Sequence, residues 1–178
     1  GSESSAISKL GLVRGCGKCQ KGKSSVSGGE CTACSAGTYQ DQTTQSVCKL
    51  CPAGSFATGG ALECTKCGRG TVNPNTGSTL ASACVDCVRG KYASSLGMEE
   101  CKDCEIGRAQ IQPGKNEPCY ICATGKYQDE KGQTSCKDCV AGKWCDSTAA
   151  THVNFCKSCP TGKYSSSLGA NSANMCIS

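Results

Sequence analysis

Nine times the chain sets two cysteines three positions apart, at Cys16/Cys19, Cys31/Cys34, Cys48/Cys51, Cys64/Cys67, Cys84/Cys87, Cys101/Cys104, Cys119/Cys122, Cys136/Cys139 and Cys156/Cys159. Sulfur at this spacing can do three things: two pairs can hold a tetrahedral zinc ion, one pair at a helix N-terminus can act as a redox dithiol, and oxidised pairs can staple a small fold. The redox role needs a thiol of lowered pKa at one site, which nine copies in turn-rich sequence do not provide. A zinc ribbon uses pairs two at a time, so alternate pairs should differ in character. Here a glycine follows every pair at the same distance, at Gly22, Gly37, Gly54, Gly70, Gly90, Gly107, Gly125, Gly142 and Gly162. An intracellular zinc-ribbon array stays open as the alternative chemistry, with Cys145 and Cys176 needed to serve its odd ninth pair.

Catalysis by side chains has little to draw on. His152 is the only histidine and stands between Thr151 and Val153 with no companion at useful spacing, so it reads as a solvated loop residue. Asp86, Asp103 and Asp138, each just before the second cysteine of a pair, read as turn caps rather than as calcium ligands, since no Asp-rich loop accompanies them. No cofactor, no metal and no enzymatic activity are expected.

The elements that must carry these cysteines can be read from their period. Cysteine makes up 20 of 178 residues, and Leu, Ile, Val and Phe together only 22. Burial on that scale does not offset chain entropy, so crosslinks have to, and that load of cysteine belongs to an oxidising compartment. Counting from the second cysteine of each pair, the fifth following residue is Ser24, Tyr39, Phe56, Val72, Tyr92, Ala109, Tyr127, Trp144 and Tyr164. This aromatic slot, two residues after the glycine turn, is the miniature core, its ring set against a sulfur bridge. The stretches between are rich in Ser, Thr, Gln and Gly without helical periodicity. The expected fold is a small disulfide-rich, mostly irregular chain with short β-ribbons and almost no helix, an elongated tandem-repeat rod.

Residues 1–15 are expected to be a tag scar (Gly1-Ser2) and linker, residues 16–178 an array of about nine closed units, with an irregular eighth unit at 139–156. The chain reads as a piece of a longer secreted or surface protein. From the second cysteine of one pair to the first of the next, the gaps run from 12 to 17 residues. This regularity favours bridges Cys19–Cys31, Cys34–Cys48, Cys51–Cys64, Cys67–Cys84, Cys87–Cys101, Cys104–Cys119, Cys122–Cys136, Cys139–Cys156 and Cys159–Cys176, leaving Cys16 and Cys145 unpaired or differently paired. A scheme interlacing neighbouring pairs, Cys48 with Cys64 and Cys51 with Cys67, remains possible from sequence.

The phrases Cys51-Pro52-Ala53-Gly54-Ser55-Phe56 and Cys159-Pro160-Thr161-Gly162-Lys163-Tyr164, each preceded by a CxxC pair, resemble the cysteine-rich repeats of ephrin receptors. They are also similar to the first loop of tumour necrosis factor receptor repeats, to the furin-like rods of growth-factor receptors, and to cysteine-rich surface proteins of algae and protists. The resemblance implies an extracellular, non-enzymatic ectodomain segment, secreted or from a membrane-anchored surface protein, that recognises or adheres to a protein or an anionic glycan. The alternative is a structural stalk or matrix spacer. Net charge is +5 without a clustered basic stripe, which argues against nucleic acid, and no apolar run suits membrane insertion. The residue before the aromatic slot is a cation in five successive units, Lys91, Arg108, Lys126, Lys143 and Lys163. With Trp144, these are the candidate ligand-binding residues. The bland reading of the same cations is solubilising charge beside a disulfide core.

Overall fold

The glycine after each CxxC decides the local geometry. Each of the nine has φ between +75 and +86, the left-handed region that costs a residue with a Cβ about 1–2 kcal/mol, so the chain reverses there and, in all but the last unit, sends the next two residues out as a strand. The computed structural model describes residues 18–26 and 29–178, so what was expected for residues 1–15 and for Cys16 lies outside the described residues.

Sixteen two-residue strands run in chain order: β1 Lys23–Ser24, β2 Thr32–Ala33, β3 Thr38–Tyr39, β4 Lys49–Leu50, β5 Ser55–Phe56, β6 Thr65–Lys66, β7 Thr71–Val72, β8 Val85–Asp86, β9 Lys91–Tyr92, β10 Lys102–Asp103, β11 Arg108–Ala109, β12 Tyr120–Ile121, β13 Lys126–Tyr127, β14 Lys137–Asp138, β15 Lys143–Trp144 and β16 Lys157–Ser158. They pair as eight antiparallel ribbons, β1 with β2 through β15 with β16. The second strand of every ribbon is the pair of residues inside a CxxC. The fold is thus disulfide-rich, with almost no helix and many short ribbons in tandem.

Nine bridges close the loops: Cys19–Cys31, Cys34–Cys48, Cys51–Cys64, Cys67–Cys84, Cys87–Cys101, Cys104–Cys119, Cys122–Cys136, Cys139–Cys156 and Cys159–Cys176, with Cα separations of 5.5 to 5.7 Å. We number the units 1 to 9 by these loops. The arrangement is neither interlaced nor that of a zinc ribbon, whose thiolates from two pairs would converge on one point. Loops of 17 residues occur in units 4, 8 and 9, and each takes up its length in a 3₁₀ turn just before the closing cysteine, Ala81–Ala83, Val153–Phe155 and Ala173–Met175. The length that looked irregular in unit 8 is therefore shared backbone architecture. His152 is built into it, its Nδ1 accepting the Asn154 N–H at 3.2 Å as the cap of that turn.

Units stack through their backbones. The turn glycine donates to the sixth residue after the second cysteine of the next unit, as in Gly37 to Ala57, Gly70 to Ala93 and Gly125 to Cys145. That sixth residue donates onward to the following loop, as in Gln40 to Ala61 and Gln128 to Ala150. A third bond runs back from a left-handed loop residue to the preceding unit's second cysteine, as in Gly77 to Cys51 and Gly169 to Cys139. Two positions in this last series are not glycine, Thr44 at φ 62 and Ala149 at φ 52.

Side chains fill the space between. In one cluster Val72 of unit 4 packs with Cys87, Ala93, Met98 and Cys101 of unit 5; in another Tyr127 of unit 7 lies against Cys139, Cys145, Ala150 and Cys156 of unit 8. The residue of the aromatic slot therefore covers the bridge of the next unit. The sixth position is buried along the array, at Gln40, Ala57, Asn73, Ala93, Gln110, Gln128, Cys145 and Ser165. Its amides satisfy themselves locally: the Gln40 side chain accepts the Gln42 N–H and donates to the Val47 carbonyl, and Gln128 does the same with Glu130 and Ser135. Cys145 is a buried free thiol occupying this slot, its Sγ 3.5 Å from the Ser147 carbonyl.

Candidate functional site

Every ribbon has two cross-strand pairs. The fourth-position residue faces the second residue inside the next CxxC, and the aromatic-slot residue faces the first, as in Lys91 with Asp103 and Tyr92 with Lys102. This register decides which of the five candidate cations remain available. The Lys91 ammonium lies 2.7 Å from the Asp103 carboxylate, and Lys126 is paired in the same way with Asp138. These two aspartates, expected as turn caps, serve as cross-strand partners instead. Arg108 faces Ile121 and donates from Nη1 to the Cys119 carbonyl at 2.9 Å. Lys143 faces Ser158, and Lys163 is exposed on unit 9; among the described residues neither meets a carboxylate within ion-pair distance. Of the five cations, Lys91 and Lys126 are thus paired with carboxylates, and Arg108, Lys143 and Lys163 are not.

A second family of lysines escaped the reading of the sequence. Lys49, Lys102, Lys137 and Lys157 are the first residues inside their CxxC pairs, and each faces a ring: Tyr39, Tyr92, Tyr127 and Trp144. Lys49 Nζ stands 5.8 Å from the Tyr39 ring centre and Lys157 Nζ 4.7 Å from that of Trp144, close enough for a cation–π contact. Three of them also meet an acid seven residues after the preceding second cysteine: Lys49 with Asp41 at 2.7 Å, Lys137 with Asp129 at 2.7 Å, and Lys157 with Asp146 at 3.1 Å. Those hydrogen bonds hold the carboxyls of Asp41, Asp129 and Asp146 below the usual range and push the Lys49 and Lys137 ammonium groups up. The signal was visible as Cys-Lys-x-Cys recurring only after an aromatic slot. Where the slot is Ala109, the ring moves across the ribbon to Tyr120, so unit 6 keeps an aromatic by exchanging strands.

Trp144 is half-buried beneath Lys157, and its indole Nε1 is enclosed with no acceptor in reach. Tyr164 in the corresponding slot of unit 9 is 55 % exposed, bridging only to Ile177. Units 8 and 9 therefore carry two cations without acidic partners, a covered indole and an open phenol. Among the described residues no three His, Cys, Asp or Glu side chains are grouped so as to hold a metal ion, and no helix is long and apolar enough to cross a membrane.

Comparison with known proteins agrees with this architecture. A family model described as tyrosine-protein kinase ephrin type A/B receptor-like matches residues 22–59 and 110–156. The mouse signal peptide, CUB and EGF-like domain-containing protein 2 is 28% identical over 108 residues, 47% of this chain and 10% of that protein. Mouse thyroglobulin is 48% identical over 54 residues, 30% of this chain and 2% of that protein. The chain spans only a small part of either relative. Consecutive bridges, a glycine turn after each CxxC, and two segments matched by one model fit ephrin-receptor-like cysteine-rich repeats, in a disulfide-rich module of extracellular type.

Proposed function

We propose that this segment is a non-enzymatic recognition module of an extracellular protein, and that units 8 and 9 carry the contact face for an anionic protein or glycan. The observation that supports it is the pairing pattern: Lys91 and Lys126 are neutralised within their own ribbons, whereas Lys143 and Lys163 occupy the same slot of adjacent units without acidic partners, beside Trp144 and Tyr164. An exposed tyrosine next to an unpaired cation suits a sugar ring and its sulfate or carboxylate groups. Heparin and alginate retention of the oxidised chain tests the reading. Lys143→Gln with Lys163→Gln should elute at clearly lower salt than wild type, and Lys91→Gln with Lys126→Gln should not. Equal shifts for the two double variants would refute the assignment.

A stalk or spacer is the second reading, favoured by a different observation. The bonds between units are backbone bonds that recur whatever the side chains, so units can be exchanged without altering the frame. Replacing unit 9 by a copy of unit 7 should abolish retention in the recognition reading and leave it unchanged in the spacer reading.

A further inference from the structure

We propose that a groove across units 2 to 5 is a second site, of opposite polarity, that binds a basic, apolar peptide segment of a partner protein. The groove encloses about 410 Å³, within the range of sites that seat a few side chains, and draws its lining from three separate units. Its walls carry Tyr39, Pro52 and Leu96, the last 58% exposed, and its rim carries Glu63 and Glu99. Both glutamates are exposed, and neither reaches a basic group within ion-pair distance among the described residues. Lys66 is the one cation present; its stem runs beneath Gly97, where an added Cβ would meet its Cγ and Cδ at 3.2 Å.

A second cavity, about 370 Å³ around units 5 to 7, makes the contrast. It is lined by more charges, but Lys91 pairs with Asp103 and Lys131 with Glu105, so its electrostatics are closed within the protein. In the groove two carboxylates are left open beside an aromatic and an aliphatic surface, in a chain whose net charge is +5. The complement of that lining is a chain segment with Lys or Arg alternating with an aliphatic residue. The cation would meet a glutamate, the aliphatic side chain would cover Leu96 and Pro52, and the Lys66 ammonium would face a peptide carbonyl.

The test is a ¹⁵N–¹H titration of the oxidised full chain with the blocked tetrapeptide Arg-Leu-Arg-Leu and, separately, with Glu-Leu-Glu-Leu. Saturable shifts should appear for the basic peptide at the amides of Gly54, Ser55 and Gly97. Glu63→Gln with Glu99→Gln should weaken it about tenfold, the effect of removing two exposed pairs. Leu96→Ala should weaken it about threefold, on the scale of a partly buried aliphatic contact. The same spectra show that each variant is folded. An unaffected Glu63/Glu99 variant, shifts confined to other units, equal binding of the acidic peptide, or no binding at all would each overturn the proposal.

Discussion

Gly125 and Gly162 share one backbone conformation and differ in one contact, which isolates the force that holds the stack together. Both have φ +81. A Cβ built on Gly125 would lie 2.0 Å from the Gly169 carbonyl oxygen and 2.7 Å from its carbon, because the turn of unit 7 seats against the loop of unit 9; a Cβ on Gly162 meets nothing within 4 Å. Substitution by alanine imposes the left-handed penalty of about 1–2 kcal/mol at either site, reduced by roughly 0.4–1 kcal/mol through the stiffer unfolded chain. Gly162→Ala should therefore cost about 1 kcal/mol. At Gly125 the loop must also retreat by more than an ångström, which breaks or lengthens the 2.8 Å bonds from Gly125 to Cys145 and from Gly169 to Cys139. Two such bonds contribute about 1–3 kcal/mol, so Gly125→Ala should cost about 2–4 kcal/mol.

Urea unfolding with all bridges intact measures the difference, and hydrogen exchange locates it. In Gly125→Ala the amides of Gly169 and Ala170 should lose protection while those of units 1 to 4 do not, since each unit bonds only its near neighbours. Equal cost at the two glycines would refute the idea that close approach of backbones, rather than the turn conformation alone, requires glycine here.

Four other perturbations act on the same frame. Ala149→Gly removes the penalty of an L-residue at φ 52 and should stabilise the array by about 0.5–1 kcal/mol in the same urea assay, whereas a loss would show that the methyl group packs favourably. Cys145→Ala should cost about 1 kcal/mol or less and leave the nine bridges unchanged by peptide mapping, because the slot accepts alanine at Ala57 and Ala93; reshuffled bridges would show that the sulfur has a further role. Breaking one loop, with Cys87→Ser and Cys101→Ser together, should cost about 3 kcal/mol by loop entropy and show as a lower urea midpoint, and an unchanged midpoint would contradict crosslink-based stability. The contribution of the lysine–aspartate pairs at Asp41, Asp129 and Asp146 to stability should be constant between about pH 5 and 9. The lowered carboxyls of Asp41, Asp129 and Asp146 contribute above the unfolded carboxylate pKa and lose that contribution as pH falls through their folded values, while the raised Lys49 and Lys137 contribute below the unfolded lysine pKa and lose it as pH rises through theirs. A urea midpoint that does not fall as pH drops below about 4 would contradict this.

The cysteine spacing carried the fold because it is a covalent constraint: loops of 12 to 17 residues that each hold one turn glycine leave little choice of local path. The glycine after the pair and the ring two residues later were readable for the same reason, being short-range requirements of a turn and a bridge. The second left-handed position was not. Thr44 and Ala149 replace glycine there, and the shorter loop of unit 3 shifts Gly60 by one place, so the pattern surfaces only when backbone angles are compared. Nor was the state of each cation legible. Lys91, Lys126 and Lys143 look equivalent in the sequence, yet register sets them against Asp103, Asp138 and Ser158. That partnership crosses a disulfide loop and depends on the CxxC interior being a strand.

For recognition, the consequence is a division of labour between atoms. The contacts between units use N–H and C=O groups, the turn glycine and a small or amide-bearing sixth residue, none of which faces solvent. The aromatic slot also serves the stack, covering the next unit's bridge, so the outward face is made chiefly by the two residues inside the next CxxC and, in most units, by the fourth residue opposite them. Changing Asp138 to Ser158 from unit 7 to unit 8 leaves the ribbon intact and frees a lysine. A single exposed substitution can therefore turn a neutral unit into a charged one without a stability cost of the kind that Gly125→Ala incurs. Charge in such an array is set unit by unit on a shared frame: Lys91 and Lys126 face acids, whereas Lys23 faces Ala33, Arg108 faces Ile121 and Lys143 faces Ser158.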